Sequence, residues 1–214
     1  MVPKRIGHII WDWNGTLLDD KWLCIESINV LLERRGLKQL DISKYHEIFD
    51  FPVRNYYERA GFDFSKEPFE TPALEFMDLY ISKCFECSLN PGALQVLRSF
   101  HERGVSQSLL SASEEMLLIK MTNHFGIKEY FSAVTGLNHH YATGKVALGQ
   151  QHLKRIQVHR DEIILVGDTC HDQEVAQYLG VKCILYTKGH FPEERLKSCG
   201  SEMINYLGDL CFSC

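Results

Sequence analysis

Three polar residues, Asp12, Ser111 and Asp168, each stand at the carboxyl end of an apolar run, and Asp172 follows Asp168 by one helical turn. Carboxylates so placed can ligate a hard cation, exchange a proton or attack an electrophile. A hydroxyl can hydrogen-bond an anion. Each also has a plain structural role taken singly: Asp12 would close a strand, Ser111 would cap a helix, and Asp172 would favour a helix N-terminus. The other reactive set is eight cysteines. Two pairs have CxxC spacing, Cys84 with Cys87 and Cys211 with Cys214, but 123 residues lie between the pairs and neither sits in a tight knuckle. Buried or free thiols are therefore expected rather than a zinc site. Cys84 and Cys87 also fit an apolar helical face with Leu74, Met77, Tyr80 and Ile81. Cys24, Cys170, Cys183 and Cys199 read as thiols of a reduced intracellular chain.

The elements that must position these groups follow from hydropathy. Apolar runs cover 6–13, 105–110, 132–135, 162–168 and 181–186, and helical periods separate most of them. That alternation predicts βαβ units and a doubly wound parallel sheet, an α/β fold. The run over 162–168 is nearly all apolar, as befits a strand covered on both faces. Asn90 and Pro91 predict a helix start, with Leu94, Leu97 and Phe100 as its buried stripe and Gly104 as its stop. Ser113 is the expected cap of the next helix, with Glu114 and Glu115 in its first turn. Another helix is expected over 172–179, stopped by Gly180. Residues 19–88 break the pattern, with helical periods only: 23–35, 43–49, 53–60 and 72–88. The expected organisation is a core of 1–18 and 89–214 with a helical insertion, 19–88, after the first strand. In an open parallel sheet, function gathers at the carboxyl ends of the strands near the switch point, so Asp12, Ser111 and Asp168 would face one crevice.

Composition narrows the partners. The chain has 214 residues, a net charge of −5 and a pI near 6.1, so no field favours nucleic acid. No apolar stretch approaches the roughly 20 residues needed to span a bilayer, and Asp12 interrupts the apolar start before it resembles a signal peptide. A cytoplasmic monomer or homodimer is expected, with no membrane partner.

The motifs then carry a resemblance. The run Asp12-Trp13-Asn14-Gly15-Thr16-Leu17 resembles the first motif of the haloacid dehalogenase superfamily. Leu109-Leu110-Ser111 is similar to the second motif, Lys145 stands where the third motif's lysine is expected, and Gly167-Asp168-Thr169-Cys170-His171-Asp172 matches the GDxxxD form of the fourth. Asn90-Pro91-Gly92-Ala93 is similar to the phosphoglycolate-phosphatase-like branch. The match runs over nearly the whole chain, in order. It implies a Rossmann-like core, a small all-helical cap over 19–88, a Mg²⁺ cofactor and a small phosphorylated metabolite as substrate, since a lid would clash with a large one. It makes Asp12 the nucleophile that forms an aspartyl-phosphate. Asp12, Asp168 and the backbone carbonyl of Asn14 would hold the metal, with Asp172 binding through water or orienting it. Ser111 and the amides beside it, Ala112 included, would hydrogen-bond the phosphoryl oxygens. Lys145 would neutralise charge and steady Asp12.

One position departs from the pattern. Phosphatases of the family usually carry a second aspartate two residues after the nucleophile, which protonates the leaving group and later activates water. Here that residue is Asn14, whose carboxamide hydrogen-bonds but does not exchange a proton near neutral pH. Such a loss commonly costs on the order of 10²–10⁴ in rate. Slow turnover or a preference for good leaving groups would follow; or another group supplies the proton, with His139, His140, His171 and Glu26 as candidates; or the protein binds phosphorylated ligands with little catalysis. Deamidation of the Asn14-Gly15 pair would regenerate an aspartate. Phosphonate cleavage, which uses a cap lysine such as Lys21 or Lys44, is a further alternative. Dehalogenation is disfavoured, because it needs no cation site of the kind Asp168 and Asp172 build. In the insertion, Arg54, Tyr56 and Tyr57 read first as packing and solvation, and second as substrate contacts.

Overall fold

The computed structural model describes residues 6–137 and 145–212. His139, His140 and Cys214 lie outside the described residues. In chain order the elements are β1 (His8–Trp11) and β2 (Leu18–Asp19), then α1 (Lys21–Arg34), α2 (Ile42–Ile48), α3 (Val53–Ala60) and α4 (Glu70–Lys83). There follow β3 (Ser88–Leu89), α5 (Ala93–Glu102), β4 (Ser106–Glu114), α6 (Glu115–His124), β5 (Ala133–Leu137) and α7 (Lys145–Leu153). The chain continues with β6 (Ile163–Gly167), α8 (Cys170–Leu179), β7 (Lys182–Tyr186), α9 (Glu193–Lys197) and β8 (Glu202–Ile204). Two compact units result, Met1–Asp19 with Leu89–Cys214, and Asp20–Ser88.

The first unit is built on a six-stranded parallel sheet in the order β5-β4-β1-β6-β7-β8. Both central strands are apolar and wholly buried, HIIW in β1 and IILVG in β6, because helices cover the two faces of a parallel sheet. From β1 the chain steps through β4 to β5 on one side, and later starts again at β6 on the other. The order therefore reverses around β1, and the crevice at the carboxyl ends of β4, β1 and β6 is the switch point. Register keeps those ends level: Trp11 pairs with Leu109 on β4 and Val166 on β6. The sixth strand, β8, is too short and too half-exposed to announce itself by pattern.

The second unit is helical. Ile28, Leu31, Leu32, Tyr45, Tyr56, Tyr57 and Phe62 are among its core residues, so both tyrosines pack rather than face solvent. Arg54 is exposed, pairs with Glu58 at 3.3 Å and lies over the Phe64 ring. The α4 face differs from the expected stripe: Tyr80, Cys84 and Cys87 are buried, but Leu74 and Ile81 are exposed.

Four further expectations are corrected. The α5 stripe is Ala93, Val96, Leu97 and Phe100, with Leu94 exposed. Helix α5 is capped by Gly92 in the left-handed region rather than by Asn90. Ser113 caps nothing, because β4 runs on through Ser111 to Glu114 with a register shift after Leu110. Cys170 and Cys199 are joined as a disulfide with their Cα atoms 5.9 Å apart, not two reduced thiols. Spacing alone does not show that α8 and the end of α9 bring them together. Cys24, Cys84, Cys87, Cys183 and Cys211 take no part in a disulfide.

Candidate functional site

Asp12 is the first residue beyond β1, and its N–H donates to the Val166 carbonyl of β6 at 2.9 Å. Its carboxylate is therefore fixed at the sheet's centre and is almost fully buried. Asp168 is the first residue beyond β6, and Asp172 lies one turn into α8. Thr169 and Asp172 form a reciprocal capping box: the Asp172 N–H is held by the Thr169 side chain, and the Asp172 carboxylate accepts from the Thr169 N–H. Lys145 opens α7, and its buried ammonium donates to Asp12 Oδ1 and, at 2.5 Å, to Asp172 Oδ1. Residues from positions 12, 145, 168 and 172 thus share one pocket. Oxygens of the three carboxylates lie within 4.8 Å of one another.

The three carboxylates are not equivalent. Asp172 Oδ2 accepts from the Asp168 N–H at 3.2 Å, the Thr169 N–H at 3.0 Å and the Thr169 hydroxyl at 2.7 Å. Burial works to raise its pKa, but Lys145 and these donors outweigh it and hold the carboxyl below its ordinary value. Asp12 has Lys145 and a long contact from the Thr16 hydroxyl at 3.4 Å. Burial, with Lys145 opposing and the Asp172 and Asp168 charges adding, pushes it up. Asp168 is raised for the same first reason. Lys145 is itself raised, the two carboxylates overcoming the cost of burial. Asp172 is thus the settled partner of the lysine, while burial works against the charged forms of Asp12 and Asp168.

Residues that the sequence left without a role complete the geometry. The Thr16 hydroxyl donates to Asp168 Oδ1 at 2.8 Å, and the His190 N–H donates to Asp168 Oδ2 at 2.7 Å. Nothing in the local pattern around His190 marks it, although its imidazole also acts on Asp168, its charge opposing the effect of burial there. Two glycines leave room for Asp168. A Cβ on Gly15, which holds φ +72°, would come within 2.3 Å of its Oδ2, and one on Gly189 within 2.2 Å. The Asn90 amide donates to the carbonyls of Gly15 at 3.0 Å, Thr16 at 2.9 Å and Leu18 at 3.2 Å. It ties down the loop that follows Asp12.

Position 14 is held from β4. The Ser113 hydroxyl donates to Asn14 Oδ1 at 2.6 Å, and the Ser111 hydroxyl lies 3.5 Å from the same oxygen. Ser111 Oγ also accepts from the Ser113 N–H at 3.1 Å. Two residues apart on β4, both serines share the face toward Asn14. Ala112, between them, is exposed. Of the suggested proton donors that are described, His171 pairs with Glu174 at 3.1 Å and Glu26 with Lys83 at 2.5 Å.

Fold and site define a doubly wound α/β protein whose switch point gathers three carboxylates and a lysine. The model of the haloacid dehalogenase-like hydrolases matches residues 9–186, and the chain belongs to that family. It is similar to a 5'-nucleotidase of Pseudomonas aeruginosa, 23% identical over 213 residues that cover 96% of this chain and 93% of the relative. It is also similar to a phosphoglycolate phosphatase of Rhodobacter capsulatus, 23% identical over 186 residues, 85% and 84% of the two chains. Among solved structures, a "predicted phosphatase" from Clostridium acetobutylicum superposes with a TM-score of 0.84 at 20% identity, covering 98% of each chain. No helix among the described residues is long and apolar enough to cross a membrane.

Proposed function

We propose that this chain is a phosphatase that moves the phosphoryl group of a small phosphorylated metabolite onto Asp12 and then to water. The observation that carries this reading is the sharing of Lys145 between Asp12 and Asp172 at the switch point. A carboxylate meant to approach a phosphate dianion needs fixed positive charge beside it, and it must not be tied up by other donors. Asp12 meets both conditions, since Asp172 takes the structural hydrogen bonds.

The donor set fits a hard divalent cation such as Mg²⁺. It consists of oxygens only, on three buried carboxylates served by one ammonium. Asp12, Asp168 and the Asn14 carbonyl would hold the ion, with Asp172 orienting the group. When bound, the cation would neutralise phosphate charge and polarise the phosphoryl group. The chain's own residues do the rest. Lys145 holds Asp12 in place and offsets negative charge. Ser111, with the Ala112 amide, would bind phosphoryl oxygens. Thr16 and the His190 N–H keep Asp168 aimed, and Asn90 keeps the loop from Asp12 to Leu18 rigid. The helical unit, residues 19–88, would serve as the lid that admits small substrates. The names of the relatives, a 5'-nucleotidase and phosphoglycolate phosphatases, support a small phosphorylated molecule as the substrate. A cytoplasmic setting without nucleic-acid or membrane partners is part of the same proposal.

Asn14 favours a second reading, a phosphometabolite-binding module with little turnover. A panel of small phosphate esters, assayed with and without Mg²⁺ and with Asp12→Asn as control, separates the two. Mg²⁺-dependent release of phosphate that Asp12→Asn abolishes supports the phosphatase. Tight binding without release supports the module.

A further inference from the structure

Resting on the phosphatase reading, we infer that this site takes phosphoryl groups from oxygens that leave readily as anions, acyl phosphates and phosphoanhydrides, rather than from alkyl esters. The juxtaposition behind this is Asn14 with Ser113. The carboxamide that occupies the usual acid/base position is not loose: its oxygen accepts from the Ser113 hydroxyl at 2.6 Å, with the Ser111 hydroxyl at 3.5 Å. β4 thus holds it as a fixed hydrogen-bonding group, and neither it nor the serines can deliver a proton at neutral pH. Among the described residues, the carboxylates and the lysine of the pocket have other duties. Asp172 and Lys145 are paired, Asp168 is held by Thr16 and His190, and Asp12 is the attacking group.

The bond changes show what this costs. An Asp12 oxygen forms a bond to phosphorus as the bond from phosphorus to the leaving oxygen breaks, and that oxygen departs with the electron pair. An alkoxide, whose basicity approaches that of hydroxide (pKa of water about 15.7), must be protonated as it leaves. A carboxylate, with a pKa of about 4, or a phosphate, of about 6, leaves without a proton. In the second half, water attacks phosphorus, the bond to Asp12 breaks, the Asp12 carboxylate is restored and the water proton passes to solvent. Here the group that leaves is itself a carboxylate, so no acid is needed, but position 14 offers no base. The aspartyl-phosphate should therefore accumulate.

The test is a double comparison on the full chain with Mg²⁺, using acetyl phosphate and ethyl phosphate, corrected for uncatalysed hydrolysis. In the wild type, kcat/KM should favour acetyl phosphate strongly. In Asn14→Asp, where the same two serines can donate to a carboxylate, the ratio should shrink by about 100-fold or more, the value of a general acid. A wild type that hydrolyses both substrates at similar kcat/KM, or a ratio that Asn14→Asp leaves unchanged, overturns the inference while the phosphatase reading stands. Absence of Mg²⁺-dependent turnover of either substrate overturns both. Should Asn14→Asp fail to fold by circular dichroism, acid-quenched wild type decides. A phosphorylated fraction that builds up with acetyl phosphate and not with ethyl phosphate supports the inference, and none with either overturns it.

Discussion

The Lys145 ammonium bridges Asp12 and Asp172, which stand 133 and 27 residues away in the chain. The two carboxylates it joins belong to different elements, the end of β1 and the first turn of α8, so one cation closes the pocket from the α7 side. Among the described residues, Asp172 accepts three further hydrogen bonds and Asp12 only a distant one from Thr16. That asymmetry leaves one carboxylate structural and the other available.

Removing the bridge should damage both folding and activity. Lys145→Met leaves two buried carboxylates without their cation, which costs about 3–5 kcal/mol for a broken buried pair. Turnover should fall by roughly 10²–10³, the usual cost of losing one charge-stabilising group. Urea melts and phosphate release measure the two effects. A variant of wild-type activity would show that Lys145 plays no part in the chemistry.

A divalent cation should stabilise the chain in solution. Binding to the native state alone adds about 2.7 kcal/mol at 100 times the Kd. Mg²⁺ should therefore raise the melting temperature, a chelator should reverse the gain, and Asp168→Asn should abolish it. A melting curve indifferent to Mg²⁺ would remove the cation from the account.

A buried chain of hydrogen bonds makes the core acid-sensitive. His8 contacts the Ser106 and Ser108 hydroxyls at 2.9 and 2.7 Å, and His152 contacts Ser108 and Thr135 at 2.7 and 2.8 Å. Burial, aided by His152 for His8 and by Arg155 for His152, lowers both imidazoles from 6.5 to about 4. The unfolded chain binds the proton more tightly, so this stability is whole above pH 6.5 and is lost as pH falls towards 4. The loss at pH 5 is on the order of 2 kcal/mol for each histidine. Urea midpoints at pH 7 and pH 5 test it, and His152→Gln should roughly halve the difference between them.

The Cys170–Cys199 link closes a separation of 29 residues, for which chain entropy gives about 3–4 kcal/mol. Cys199→Ser should melt below the wild type in the absence of reductant and level with it in the presence of one. Equal melting temperatures under both conditions would mean that the bond is not formed. Because Cys170 lies between Asp168 and Asp172, the same comparison shows whether the bond also steadies α8.

Much of this was readable from residue order. Asp12, Asp168 and Asp172 were legible because each ends or follows a buried parallel strand, where hydropathy changes abruptly. The helices of 19–88 were legible for a similar reason, and α3 falls on the expected residues. What escaped depends on bends and backbone groups. Ser113 reads as a helix cap until β4 is seen to run on through it beside Asn14, and Asn90 reads as a cap until its amide is seen to bind three carbonyls. His190 contributes a backbone N–H and an imidazole charge to Asp168, and neither is announced by the pattern around it. Leu74, Ile81 and Leu94 fit helical stripes yet are exposed, because periodicity gives a face and not what covers it.

The central claim is that Asp12 receives the phosphoryl group. Incubation with Mg²⁺ and acetyl phosphate, followed by acid quench and peptide mapping, tests it directly. The account predicts the added mass of one phosphoryl group on the peptide carrying Asp12, absent from Asp12→Asn. Phosphate release that survives intact in Asp12→Asn, or a label on any other residue, would contradict it.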